Sequence, residues 1–296
     1  MTDGRVNVAP AGMSSVLSVA DAVRLGEGLG LDRRDIAVLL GDVLKRNRAW
    51  LIAHDDQALT AGESARWQEV AERRAKGEPV AYLVGFKEFR GLPLRVSSAV
   101  LVPRPETELL VDLAIAAIDR LSSSKRPIRL LDLGTGSGAI ALACKSARRE
   151  VEVHASDASE AALAVARANA AEVGLDVDFR LGSWWRPWIG ERFDLAVCNP
   201  PYVADGDPHL GLLQHEPWSA LVGGRGGLTA FEDVVRGAAG HLVPGGQLWF
   251  EHGFDQGEAV SRLLLEAGFT GIATHHDLAG QPRCTGGAVE LRSVSG

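Results

Sequence analysis

The stretch LLDLGTGSGAIALA, Leu130–Ala143, decides the fold. An apolar run ends at once in three glycines, Gly134, Gly136 and Gly138, each one residue apart, and an alanine-rich apolar segment follows. A short apolar run stopped by a glycine turn reads as a buried strand, and the segment after it as a helix. Glycines lack a Cβ, so they allow the tight turn and let a ligand come close to the backbone at the start of the helix.

Working outward, the same texture repeats. Strands are expected near 128–133, 151–156, 177–181, 193–198, 245–251, 270–276 and 286–292, with helices near 138–147, 159–173, 228–241 and 256–267. Alternation of this kind argues for an α/β fold, a seven-stranded, mostly parallel sheet with helices on both faces. Only a loop separates the last two strands, so they are expected to pair antiparallel at the sheet edge.

Upstream the pattern changes. Residues 1–16 read as a flexible tail, and 17–79 as a small helical domain. In DRRDIAVLLGDVLKR, Ile36, Leu39, Leu40, Val43 and Leu44 share one face. Thr60 and Glu63 form a capping box before a helix that stops at Gly77. The bland reading is a packing domain, the sharper one a recognition module for a macromolecular substrate. Residues 80–104 read as short strands and turns, a β-hairpin linker built from VAYLVGFKEF, GLPLRVS and AVLVP. The remainder, 105–296, is expected to form the second, larger domain. It opens with a helix capped near Glu106 or Thr107, and SSSKRP (122–127) is a polar connection within it.

Composition limits the possible partners. The chain has 296 residues, 46% hydrophobic and 23% charged, which suits a soluble protein of one large or two ordinary domains. The N-terminus lacks a signal-peptide layout, and no apolar run approaches the ~18–20 residues of a membrane span. Three cysteines, Cys144, Cys198 and Cys284, show no metal spacing and suit reduced thiols, so a cytoplasmic location and no bound metal are expected. A net charge of −7 weighs against a life on duplex nucleic acid without excluding it.

The glycine loop has a partner. Asp157 ends the second strand of the alternating region, nineteen residues past Gly138. An acid there can accept both hydroxyls of an adenosine ribose. Gly134-x-Gly136-x-x-Ala139 also satisfies the dinucleotide fingerprint, so loop and acid indicate an adenosine cofactor without choosing one. Two features favour S-adenosylmethionine over NAD. Asp132, two residues before Gly134, suits a cationic amino-acid cofactor and would repel a pyrophosphate. The fourth strand, FDLAVC, ends in Asn199-Pro200-Pro201-Tyr202, at the sheet edge where open α/β folds bind ligands.

That tetrapeptide suits methylation of a planar amine. The lone pair of an amide or aromatic NH₂ is delocalised, so it attacks poorly unless it is oriented. The Asn199 side-chain oxygen and the Pro200 carbonyl supply two acceptors for the two N–H bonds, with neighbouring prolines restricting the backbone. Tyr202 can stack on the flat substrate. No strong base is needed, because the nitrogen becomes very acidic once methylated. Catalysis is then largely positioning, worth about 7–11 kcal/mol when geometry is right.

NPPY after DLGTGSG resembles the amino-methyltransferases of exocyclic and amide nitrogens. PVAYLVGFKEFRGLPLRV, VLVPRPETELLVDLA, WFEHG and DLAGQPR extend the likeness over nearly all of 30–293 to the release-factor glutamine methyltransferase family (HemK/PrmC). The related ribosomal-protein L3 glutamine methyltransferases carry a different sequence where this chain has Arg104–Glu108.

The resemblance implies a Rossmann-like class I methyltransferase fold. It also implies N5-methylation of the glutamine in the Gly-Gly-Gln motif of class 1 peptide chain release factors. Carried onto matching positions, it implies that Asp132, Gly134, Thr135, Gly136, Ser137 and Gly138 hold the methionine part and backbone of the cofactor. Asp157 would take the ribose, and Asn199, Pro200, Pro201 and Tyr202 would clamp the glutamine, Asn199 also lying beside the cofactor. Where the family often shows Asp-Trp, this chain has GSWWRPW. Spacing matches Trp185 to the adenine-side tryptophan, while Trp184 replaces the acid. Glu216 could shape the substrate mouth, and His252 is expected to be structural. The alternatives are a nucleic-acid exocyclic-amine methyltransferase, since that class also uses NPPY on a flipped base, or a ribosomal-protein glutamine methyltransferase.

Overall fold

The computed structural model describes residues 17–121 and 126–290. The expected tail 1–16, residues 122–125 of the polar connection and the end of the last expected strand lie outside the described residues. The chain divides into two compact units between Val84 and Gly85.

The first unit is helical: α1 Val19–Gly28, α2 Arg33–Leu44, α3 Arg48–Ala53, α4 Ala61–Ala75 and α5 Val80–Val84. Capping residues fix where the helices start. Ser18 with Asp21, and Thr60 with Glu63, form full capping boxes, while Asp32 and Asn47 cap α2 and α3 through their side chains. Ile36, Leu39 and Leu40 are buried as their spacing predicts, and Val43 and Leu44 pack partly buried at the core's margin. Trp67 is fully buried, and its indole N–H donates to the Ala22 carbonyl at 3.0 Å.

The structure corrects the strand reading of 80–103 in two places. VAYLV is helical, because Pro79 precedes it and its carbonyl accepts the Tyr82 and Leu83 amides. AVLVP is not a strand: the Val102 amide donates to the Glu216 carboxylate, and Pro103 has no N–H to offer a ladder. Between these lies a true hairpin, β1 Phe86–Phe89 with β2 Leu92–Arg95, turned through Arg90 and Gly91, both at positive φ.

The second unit is built on β3 Arg129–Leu133, β4 Glu152–Asp157, β5 Asp178–Leu181, β6 Phe193–Cys198, β7 Leu242–Glu251, β8 Phe269–His276 and β9 Pro282–Val289. The strand order is β5-β4-β3-β6-β7-β9-β8. Strands β3 to β7 run parallel, and β9 is antiparallel to both neighbours. The closing hairpin thus inserts its second strand against β7 and leaves β8 at the edge.

Helices α6 Thr107–Leu121, α7 Ala139–Ala147, α8 Glu160–Val173, α9 Trp218–Leu221, α10 Thr229–His241 and α11 Gly257–Glu266 complete the unit. Two apolar cores form, one holding α6 and α7, the other α10 and α11. Alternate residues of one strand serve both: Leu130 faces the first core, Leu131 and Leu133 the second.

After β3 the chain winds outward through β4 and β5, then returns to place β6 on the other side of β3. The carboxyl ends of β3 and β6 therefore flank the point where the winding reverses, the usual crevice for a ligand.

Candidate active site

Three positive-φ glycines shape the loop after β3: Gly134 at +75°, Gly136 at +56° and Gly138 at +83°. Their duties differ. A Cβ on Gly136 would meet nothing within 4 Å, so its backbone lies open. A Cβ on Gly138 would press on Leu142 and Ala166 at 3.2 and 3.3 Å, which makes this glycine a packing position at the start of α7. The Gly134 and Thr135 amides donate to the Ser156 carbonyl at 2.8 and 3.0 Å, tying the loop to β4.

A cavity of about 360 Å³ opens beside this loop. Gly134, Thr135, Gly136, Ser137 and Asp157 line it from the β3–β4 side, Asn199 and Pro201 from β6. Residues from both motifs thus line one crevice, though Gly138 does not. Asp157 accepts from the Gly136 amide through Oδ2 and from the Ser159 amide through Oδ1, both at 2.9 Å. Burial pushes its carboxyl upward, and those amides counter the shift.

Asp132 lies beneath the loop, fully buried, and does not line the cavity. Its Oδ2 accepts from the Thr135 hydroxyl at 2.7 Å and the Ala141 amide at 3.2 Å, while Oδ1 has no partner. Burial raises this carboxyl to about 7, against those two bonds. An open glycine backbone, an acid on the cavity wall and an orphaned carboxylate oxygen below fit a cationic adenosine cofactor. They fit a pyrophosphate poorly.

The tryptophan expectation is corrected. Trp185 is 5% exposed, its N–H donates to the Val234 carbonyl at 2.8 Å, and its ring stacks on His241. It belongs to the core. Trp184 lines the cavity instead, with φ at +52° and its ring over Gly134, where a Cβ would come within 3.1 Å. Spacing along the sequence does not distinguish two adjacent tryptophans, and Trp184 has a left-handed backbone, uncommon for a bulky residue, that no sequence pattern announces.

Of the β6 tetrapeptide, Pro200 is buried and Tyr202 packs against the α10–α11 core. Neither is among the lining residues. Two glycines that the sequence reading passed over hold the segment from behind. A Cβ on Gly223 would fall 2.3 Å from the Pro201 carbonyl oxygen, and one on Gly227 2.1 Å from that of Tyr202. Gln256 donates to the Tyr202 carbonyl at 3.0 Å. Asn169, buried on α8, also went unread. It donates to the Ser137 carbonyl at 2.8 Å and exchanges bonds with the Arg95 backbone, anchoring the glycine loop to β2.

His252 is fully buried, with Nε2 2.8 Å from the Thr285 hydroxyl and Nδ1 2.8 Å from the Gly253 carbonyl. Burial lowers its pKa, and it does not line the cavity. Glu216 is also buried. It holds the Val102 amide and pairs with Arg104, whose side of the loop lines the cavity. The three cysteines are buried and free. Among the described residues no cluster of three or more His, Cys, Asp or Glu could hold a metal, and no helix is long and apolar enough to cross a membrane.

Known proteins share this sequence. The PrmC N-terminal domain model matches residues 22–85, and the methyltransferase small domain model residues 111–215. A release factor glutamine methyltransferase of Xylella fastidiosa (strain Temecula1) is 48% identical over 260 residues, covering 87% of this chain and 93% of its own. The chain belongs to the release factor glutamine methyltransferase family. A Bordetella pertussis relative of the same name is 45% identical over 261 residues, covering 87% of this chain and 95% of its own. Two solved structures bear on the fold. A methyltransferase from Pyrococcus furiosus aligns at TM-score 0.50 and 16% identity over 78% of this chain and all of its own. The human methyltransferase 10 domain containing protein aligns at TM-score 0.50 and 14% identity over 69% and 90%. Both agree with the Rossmann-like sheet described above.

Proposed function

We propose that this enzyme transfers a methyl group from S-adenosylmethionine to the side-chain amide nitrogen, N5, of the glutamine in the Gly-Gly-Gln motif of class 1 peptide chain release factors. The observation that carries the reading is the meeting of the glycine loop and Asn199 at one cavity, in a member of this family. Bound there, the cofactor supplies an electrophilic methyl on a sulfonium. Asp157 and the open Gly136 backbone would hold the ribose and amino-acid portions, Trp184 would cover the adenine side, and Asp132 below, which a nearby cation would draw toward its ionised form, would balance positive charge.

Asn199 Oδ1, on the cavity wall, would accept one N–H bond of the glutamine amide, and the resemblance assigns the other to the carbonyl of Pro200, which is buried just behind the lining. Pinning both hydrogens directs lone-pair density at the methyl carbon. With the cofactor bound, its chemistry would be an exchange of the S–C bond for a new N–C bond, leaving a neutral thioether, and the amide nitrogen held by these residues would lose its proton to solvent. The task is orientation, for which rigid acceptors suffice. Flanking glycines let the substrate loop enter a narrow slot, and the N-terminal helical unit offers release factor a further surface. The setting is cytoplasmic, with no stable nucleic-acid partner.

Mass spectrometry of release factor after incubation with enzyme and cofactor tests this. One methyl on the motif glutamine is expected, and none on its Gln→Ala variant. Equal labelling of both, or salt-sensitive methylation of RNA or DNA in place of protein, refutes it.

A further inference from the structure

The proposal begins with a buried carboxylate that the reaction above leaves unused. Glu251 closes β7, and the pairing of Cys198 with Phe250 sets it beside Asn199, one residue further along each strand. Thr107 opens α6 and is itself buried. The three side chains form a closed set. Asn199 Nδ2 donates to Thr107 Oγ1 at 3.3 Å. Glu251 faces both Thr107 and Asn199, whose side chains draw its carboxyl downward against the larger upward push of burial. Glu251 is 1% exposed, and its Oε2 has no partner. A carboxylate so buried and half satisfied is costly, and nothing in the packing of β7 requires one.

Its chemistry supplies a reason. A carboxamide has an accepting end and a donating end of nearly equal shape, and only its surroundings decide which faces where. An ionised carboxylate accepts and never donates. Glu251 therefore selects the NH₂ end of Asn199 for the interior and leaves Oδ1 for the cavity. The Thr107 hydroxyl, spending its proton on Glu251, must also accept from Nδ2. A flipped Asn199 would set NH₂ against the NH₂ of the incoming glutamine, and the substrate could not be held.

We propose that Glu251 is a positioning residue that fixes the orientation of the Asn199 carboxamide, with Thr107 as its relay, so that an acceptor faces the substrate amide. This rests on the glutamine-methylation reading given above. Glu251→Gln is nearly isosteric, removes a buried charge and can present an NH₂ of its own, so the direction of Asn199 is no longer enforced.

The experiment reads both the network and the reaction. In wild-type protein the Asn199 side-chain NH₂ resonances should move with pH as Glu251 titrates, and in Glu251→Gln they should shift and lose that dependence. This readout stands without any turnover. With release factor as substrate, kcat should fall on the order of 10- to 100-fold, the worth of one charge-assisted hydrogen bond. The KM for cofactor should stay within twofold, and thermal stability should not drop. Wild-type kcat should decline as pH falls through about 7, where a protonated Glu251 can donate to Oδ1, and the variant should lack that step. The other ionisable groups facing Glu251 are Glu106, Arg283, Tyr202 and Cys284. A step that survives in the variant belongs to one of them and overturns the assignment. Unchanged Asn199 resonances in Glu251→Gln overturn it whatever the activity. A wild-type enzyme that leaves release factor unmethylated, with the resonance changes present, refutes the substrate reading alone.

Discussion

Gly223→Ala isolates the support behind the substrate clamp. Gly223 does not lie at positive φ, so alanine carries no conformational penalty there and the effect is purely steric. The new methyl would start 2.3 Å from the Pro201 carbonyl oxygen and 2.8 Å from that of Gly227. Non-bonded contacts settle near 3.5 Å, so the Pro201 backbone must retreat by about 1 Å. The Gly223 amide also donates to the Val203 carbonyl and the Val203 amide to the Leu221 carbonyl, both at 2.9 Å, so the displacement passes along the segment that follows Asn199.

Misplacing a reacting group by that distance costs roughly 10²-fold in rate. Overpacking should lower stability by about 1–3 kcal/mol, leaving a folded protein. Asp157, Gly136 and Trp184 are untouched, so calorimetry should find cofactor affinity within twofold of wild type. Single-turnover methylation of release factor, run beside a thermal melt, checks the split. Transfer within threefold of wild type in a folded variant would refute the claim that the 223–227 segment holds the clamp.

Trp184→Ala should weaken cofactor binding roughly 5- to 100-fold by the loss of base stacking and leave the melting temperature nearly unchanged. Trp185→Ala should do the reverse, costing about 3–5 kcal/mol of stability as a core truncation; calorimetry and melts on the pair decide. Asn169→Ala frees the glycine loop from β2 and should weaken cofactor binding about tenfold, with a buried carbonyl left unpaired. Glu251 in the folded chain titrates near 7 because burial disfavours its charge, against ~4.3 when unfolded. A carboxyl raised on folding loses stability as pH climbs between those two values. Glu251→Gln should therefore gain more in melting temperature at pH 8 than at pH 5, and an equal gain at both would contradict the burial argument.

Much of the fold could be read directly from local chemistry. Apolar runs ending in turn residues marked the strands, and cap residues such as Thr60 marked helix starts, because both signals act within a few neighbours. The functional motifs were legible for the same reason. The glycine loop needs glycines, a ribose needs an acid, and a planar amide needs fixed acceptors, whatever the rest of the chain does. The two misread strands failed where that locality broke. The Val102 amide found Glu216, 114 residues away, in place of a strand; at VAYLV the failure was local, the helix-starting Pro79 outweighing the apolar run that follows it.

By itself, then, the amino-acid order determined the alternation of elements and marked the glycine loop, Asp157 and the Asn199–Tyr202 stretch as the candidate site. Only the tertiary structure decided which tryptophan faces the cavity. It alone showed that Gly223 and Gly227 press against the Pro201 and Tyr202 backbone, and that Glu251 and Thr107 meet Asn199. Those pairings join residues far apart in the chain through packing and buried hydrogen bonds. Their energies depend on burial and on a few tenths of an ångström, quantities that exist only once the sheet has brought the strand ends together.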